Sequence, residues 1–397
     1  MRMRVARFSG IIVAAVVTLG STRTAGAQQT VKLGAGDTLT IGGFINATLF
    51  TNNGFFTFGN GQNAEYANAA QPATDKSYMD GDVRNTRLNF TFSASPVLGK
   101  WSPRATIEAD FFGAFGGTGA PPFGDEQPQL RARFAYVDLT NGRTTVRVGQ
   151  FWSPLFGEVP VSVTHLAFPL GYGATGMIGW RFPGIFLYHD LNPGKPTTLQ
   201  LVLAALKNGG PDVGGGISSG AASGMPQLEG RLNVAHRTSK LSWSGYVVGH
   251  VDWKDTTAVG AAGNNLTGSG VEVGGNVTSG KFTIHGNVYT GKAMGQQFAH
   301  ITQQGNVKGW GAWVQGGYDV TPHWGAWLFY GTDRPDTANS PGLAGNFRSK
   351  NNDIAGMLRF RAGRYQLGAE YFRANTTWAT SGKQHAGQVA LSVMYTI

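Results

Sequence analysis

The chain has 397 residues, with 60 glycines, no cysteine, 12 % aromatic and only 14 % charged residues, which excludes disulfides, thiolate metal sites and cysteine nucleophiles together. So little charge is typical of a membrane protein, yet mean hydropathy is −0.15 and no run of about 18 apolar residues occurs, which excludes a helical membrane protein. The formal charge of +10 includes Arg2, Arg4, Arg7 and Arg23 of a leader, so 10 − 4 = +6 remains, and its scatter among acids gives no concentrated face for nucleic acid.

Residues 1–27 combine a basic start, a short apolar run at 11–19 and the small residues Ala25-Gly26-Ala27. That is the pattern of a cleaved secretory signal, and 28–397 is expected to form one domain. Period-two alternation then predicts strands at 37–51, 82–95, 102–113, 129–140, 143–152, 178–190, 197–207, 226–237, 240–254, 269–279, 281–291, 307–320, 323–333, 350–361, 364–376 and 385–397. In the last of these Val389, Leu391, Val393, Tyr395 and Ile397 share one face, and no helix repeats at spacing two. One face of most segments is apolar and the other carries charge, the reverse of a soluble β-sandwich. Tight turns at Asn141-Gly142, Thr238-Ser239, Ser279-Gly280, 319–322 and Ala362-Gly363 alternate with long Gly/Asn/Ser/Pro-rich connections at 52–81, 114–128, 153–177, 208–225, 255–268, 292–306, 334–349 and 377–384.

This pattern predicts an all-β fold, a transmembrane antiparallel barrel of about sixteen strands with short periplasmic turns and long extracellular loops. Fourteen or eighteen strands remain open. In 129–140 the phase that turns Arg131 and Arg133 inward also turns Ala135, Val137 and Leu139 inward, so a bulge or phase switch is required. Segment 178–190 contains Pro183, which cannot donate to a ladder. Tyr318, Trp324, Phe360, Tyr365 and Tyr395 cluster near the short turns, where a membrane barrel carries an interfacial aromatic girdle.

Three motifs fail on context. Gly171 to Gly176 matches GxGxxG without a following helix, Gly275 to Lys281 resembles a phosphate loop but continues with Phe282, and Gly216 to Gly220 matches GxSxG inside a Gly/Ser-rich loop. The eight histidines show no ligand spacing, so no metal, cofactor or catalytic group is assigned. The informative set is basic: Arg87, Arg104 and Arg147 fall on the lumen phase of strands two, three and five, with Arg131 and Arg133 on strand four. Glu108 and Asp110 face the same way as Arg104 and neutralise part of this wall, and Arg359 adds charge from the opposite side. A partly neutralised basic wall in a narrow lumen attracts anions. Connection 153–177 is unusually apolar (Leu155, Phe156, Phe168, Leu170) and is expected to fold into the lumen, narrow the pore and bring Glu158 and His165 opposite the arginines.

A leader, sixteen strands, an inward third loop and an arginine wall together resemble the trimeric bacterial outer-membrane porins. The stretches 82–88 (DVRNTRL), 106–113 (TIEADFFG), 133–137 (RFAYV) and 148–154 (VGQFWSP) are most similar to the DcaP-like porins. The resemblance implies a homotrimer among outer-membrane lipids, passing small hydrophilic solutes by diffusion with a bias to anions such as carboxylates. Two features depart from the family: 28–37 is too short for the helical extension some members carry, and Ile397 stands where an aromatic residue is usual. The alternatives are an outer-membrane barrel enzyme, which needs a Ser/His or Asp/His constellation, a non-conducting adhesion barrel, and, more weakly, a secreted soluble β-protein.

Overall fold

In the computed structural model the structure describes residues 29–34, 36–57, 65–73, 77–113, 128–163, 172–257, 265–294 and 305–397. The expected leader lies outside them, as does His165. The wall is a closed antiparallel barrel of sixteen strands. These are β1 (Asp37–Asn53), β2 (Ser77–Asp82 continuing as Arg87–Ser93), β3 (Ser102–Asp110), β4 (Arg131–Asn141), β5 (Thr144–Trp152), β6 (Arg181–Asp190), β7 (Thr197–Leu206) and β8 (Gln227–Arg237). They continue as β9 (Leu241–Asp255), β10 (Asn265–Ser279), β11 (Phe282–Lys292), β12 (Lys308–Asp319), β13 (Trp324–Pro335), β14 (Arg348–Ala362), β15 (Tyr365–Trp378) and β16 (Gly382–Thr396).

Each strand pairs with its sequence neighbour, and β1 closes the ring against β16 from Phe44↔Thr396 to Asn53↔Gly387. A further short strand, Gln29–Gly34, pairs with the first residues of β1 below the point where β16 ends. Closure leaves no unpaired edge along this seam, which a strand in lipid requires because nothing there hydrogen-bonds a bare backbone.

The alternation sorts side chains as a membrane barrel does. Leu49 is 57 % exposed and Leu391 58 % on the outer face, while Asn46, Glu272 and Asp353 on the inner face are fully buried. At the short-turn end Tyr318, Trp324, Tyr365 and Tyr395 are turned outward, with the Trp324 and Phe360 ring centroids 5.0 Å apart and those of Tyr365 and Tyr395 4.9 Å apart.

Four places bear on the sequence reading: β2 and the eighth outer connection depart from it, while β4 and β6 carry the irregularities it marked. β2 is broken rather than continuous: its outer half pairs with 48–53, its inner half with 38–44. At the break the Arg84 guanidinium turns back onto Asp82 at 2.7 Å, and Thr86 bonds the backbone of Asn46. β4 carries the required phase switch as a bulge at Arg133: Glu108 faces Phe134 but Ala109 faces Ala132, so Arg133 is the extra residue. β6 runs through Pro183, which sits opposite Gln150 without interrupting the ladder. Finally, the eighth outer connection is not long, because β15 and β16 extend toward each other and leave only residues 379–381 between them.

Candidate functional site

The bulge in β4 builds the basic wall. Without it Arg131 and Arg133 could not both share the lumen with Phe134, Tyr136 and Asp138. With it, Arg131 grips Asp110 through two hydrogen bonds of 2.9 and 2.7 Å, and Arg133 bridges Glu108 and Asp110 at 2.8 Å each. Arg87 of β2 approaches Glu108 only to 3.6 Å, and its Nε and Nη2 have no hydrogen-bond partner. Arg181, at the start of β6, joins this group: it is 7 % exposed, lies over the rings of Trp152 and Trp180 at 5.0 and 4.6 Å, and leaves Nε and Nη1 without a partner. Among the described residues four guanidiniums (Arg87, Arg131, Arg133, Arg181) therefore face two carboxylates (Glu108, Asp110), and 4 − 2 leaves two formal positive charges.

Arg147 and Arg104 differ from these. Arg147 is paired in a fork with Asp138 at 2.7 and 2.9 Å and is sandwiched by Tyr136 and Phe151 at 3.8 and 4.0 Å. It contributes little net charge. Arg104 keeps the phase of Glu108 but sits near the short-turn end, exposed, in register with Asp138.

The third outer connection crosses the lumen. Its first described limb, 153–163, is pinned in turn by β8, β9, β12, β15 and β1, and 172–177 form the second. Leu155 N donates to Glu229 at 2.7 Å. Arg231 Nη1 donates to the carbonyls of Pro154 and Phe156 at 3.0 and 2.9 Å. Glu158 N bonds the Tyr246 hydroxyl at 3.1 Å. The Gln315 amide pairs with both backbone groups of Val161 at 2.6 and 2.9 Å. Ser162 reaches Glu370 at 2.8 Å, and Asn46 reaches the Val163 carbonyl at 3.2 Å. Every anchor comes from a lumen-phase position, and each satisfies a backbone or hydroxyl group that burial would otherwise strand.

The apolar side chains of the connection are buried with wall residues. Phe156 stacks on Trp152 with centroids 3.7 Å apart, and Leu155, Val159 and Val163 are buried. Two glycines permit the approach: a Cβ on Gly157 would collide with the Tyr246 hydroxyl and the Glu272 carboxylate, and one on Gly179 with the backbone of Phe156.

Glu158 does not reach the arginines of β2 to β6 that the sequence reading set opposite it. It lies beside β9 and β11, with its carboxylate 3.8 Å from His285 Nδ1. The reason is reach: by residue 158 the chain has already passed β8. Arg359 of β14 is buried on this far side, 3.5 Å from Asp319. At the opposite mouth the first connection also turns inward. Tyr66 lies under the Arg348 guanidinium at 3.8 Å, and Ala67 is held by Thr376 and Trp378 at 3.0 and 3.1 Å. Neighbouring Glu65 is buried, and that burial pushes its carboxyl well above the usual range, against the pull of Arg348.

No protein-family model matches the chain, and no curated protein is similar to it in sequence. Solved structures are similar to it in fold. The outer membrane channel DcaP of Acinetobacter baumannii superposes with a TM-score of 0.70 at 18 % identity, covering 92 % of this chain and 99 % of that one. The chain shares the fold of that channel. The anion-selective porin from Comamonas acidovorans follows at TM-score 0.55 and 12 % identity, covering 91 % of this chain and 100 % of that one. The trimer form of OmpT, an outer membrane protein of Vibrio cholerae, gives 0.53 at 11 % identity, again covering 91 % and 100 %.

Several residues that shape this barrel's interior escape sequence reasoning. Arg181 sits in a segment that Pro183 makes a poor strand. Glu229, Arg231, Tyr246, Gln315 and Glu370 are all lumen-phase polar residues, a signal present in the alternation, but nothing in the sequence says which of them a loop reaches.

Proposed function

We propose that the chain is an outer-membrane porin: a passive diffusion channel for small hydrophilic solutes, biased toward anions such as carboxylates, and not an enzyme. The observation that carries this reading is the excess of two guanidiniums over carboxylates beside an inward connection in a closed barrel. A partly neutralised arginine patch next to low-dielectric walls raises the local anion concentration without any covalent step. In this reading 153–177 sets the diameter, and Arg87, Arg131, Arg133 and Arg181 set the field. Arg104 contributes at the inner rim and Arg359 on the far wall, while Glu108 and Asp110 are the fixed counter-charges, Arg147 and Glu158 line the path, and His165, outside the described residues, is assigned to the pore as well.

The fold shared with the DcaP channel supports a channel role, and the anion-selective porin supports the bias. The trimeric OmpT form supports a homotrimer with lipid around it. The leader supports export, with cleavage near Ala27 checked by N-terminal sequencing of the mature protein.

The test is the double variant Arg87→Gln, Arg181→Gln in planar bilayers. A charge about 7 Å from a permeating ion acts in water with about 0.6 kcal/mol, roughly halved by screening in 0.1 M salt. Anions and cations feel it with opposite sign, so each lost charge changes the anion-to-cation permeability ratio about threefold, and the pair about eightfold. An unchanged ratio in a folded double variant overturns the assignment.

A further inference from the structure

The lumen holds a second built space, away from the arginines of β2 to β6. Beneath the first described limb of the third connection lies a cavity of about 320 Å³, roofed by Glu158 and Val161 and walled by β8 to β14 toward the short-turn end. That volume is in the range of small-metabolite pockets.

Its donors and acceptors do not balance. The Arg359 side chain is 4 % exposed and contacts Asp319 Oδ1 at 3.5 Å. The same oxygen already accepts from Arg361 at 3.1 Å. One carboxylate thus serves two guanidiniums: among the described residues Nε of Arg359 has no acceptor, and Nη2 meets Asp319 only at 3.5 Å without a formed hydrogen bond. Trp327, whose ring lies 5.3 Å from the Arg359 guanidinium, has its indole N–H without an acceptor as well. Among the lining residues Arg231, Arg237 and Arg359 face Glu158 and Asp319, so 3 − 2 leaves one positive charge. The rest of the lining supplies the hydroxyls and amides of residues such as Ser244 and Asn276. Buried donors without acceptors are costly, and a single excess charge suits a monoanion.

We infer that this cavity is a binding site for a small hydroxylated monocarboxylate, with the carboxylate at Arg359 and Trp327 and the hydroxyls along the β9–β10 side. The inference deepens the porin reading by giving the solute a resting place beyond the constriction, and rests on that reading only for the route of entry. The carboxylate accepts what Asp319 cannot, while Glu158 and Asp319 disfavour a second negative charge.

The test uses the detergent-purified full chain, with D-gluconate as probe and D-glucose and acetate as comparisons, followed by tryptophan fluorescence and titration calorimetry. Gluconate is expected to bind saturably and more tightly than either comparison. Arg359→Gln should weaken it about tenfold or more, the loss of a charge-assisted bond. Trp327→Phe keeps a ring while removing the N–H, and should weaken binding a few-fold even if the arginine variant misfolds. Arg373→Gln, exposed on the outer face of β15, should leave gluconate affinity unchanged. Glucose or acetate binding as well as gluconate, affinity indifferent to both variants, or no saturable binding overturns the inference. Bilayer conductance of the same preparation reports the porin reading separately, so either can fail without the other.

Discussion

Gly157→Ala probes how the third connection is held. An added Cβ falls onto the Tyr246 hydroxyl and the Glu272 carboxylate, which are bonded to each other and buried. Neither is the loose end of a long side chain, so the connection must retreat. Retreat lengthens the 3.1 Å bond from Glu158 N to Tyr246 and the 2.9 Å bond from Arg231 to the Phe156 carbonyl. Overpacking costs about 1–3 kcal/mol, and each lost bond about 0.5–1.5 kcal/mol. At 1.4 kcal/mol per tenfold, the displaced arrangement gains on the order of 10²-fold or more in population. The barrel wall is untouched, so the variant should migrate as a folded, heat-modifiable species. Its single-channel conductance should rise and its open-channel noise increase. Gly249→Ala serves as the control, since a Cβ there meets nothing within 4 Å. Wild-type conductance and noise in folded Gly157→Ala would show that the connection does not set the pore.

Three further outcomes follow from the same contacts. Arg133→Gln removes the guanidinium that bridges Glu108 and Asp110, and breaking such a buried pair costs about 3–5 kcal/mol; its heat-modified gel transition should move to lower temperature. Glu65 has a folded-state pKa raised by burial, so the docked first connection favours the protonated form. Docking is therefore strongest below the ordinary carboxylate pKa of about 4.3 and weakens as pH rises toward the raised value. Trp378, bonded to the Ala67 carbonyl, should report this as a pH-dependent change in emission that Glu65→Gln abolishes. The native protein should cross-link to a trimer ladder in detergent, and a monomer alone would refute that part of the proposal.

Much of the wall is legible because a barrel in lipid imposes a local rule. In β15 and β16 every second residue faces hydrocarbon, so Tyr365, Leu367 and Tyr371 declare their side without knowledge of any partner strand. The conflict between Arg131/Arg133 and Ala135/Val137 is likewise local, and it marks the bulge. What depends on shear or on reach is not legible. Arg104 has the lumen phase of Glu108, yet its height along the lumen follows from register with Asp138. Glu158 meets β9 and β11 rather than β2 to β6 because of how far the connection travels before it is pinned. The inward fold of Tyr66 hides in a segment whose Gly, Asn and Ala content reads as an exposed loop. Arg181 lies beside Pro183, which weakens the strand signal there although the structure accommodates it opposite Gln150.

The most direct test of the central claim is the reversal potential of the purified wild-type protein across a planar bilayer in a KCl gradient. Two uncompensated guanidiniums in the lumen predict stepwise conductance with chloride favoured over potassium. Potassium preference, or a sealed bilayer from a demonstrably folded barrel, would contradict it.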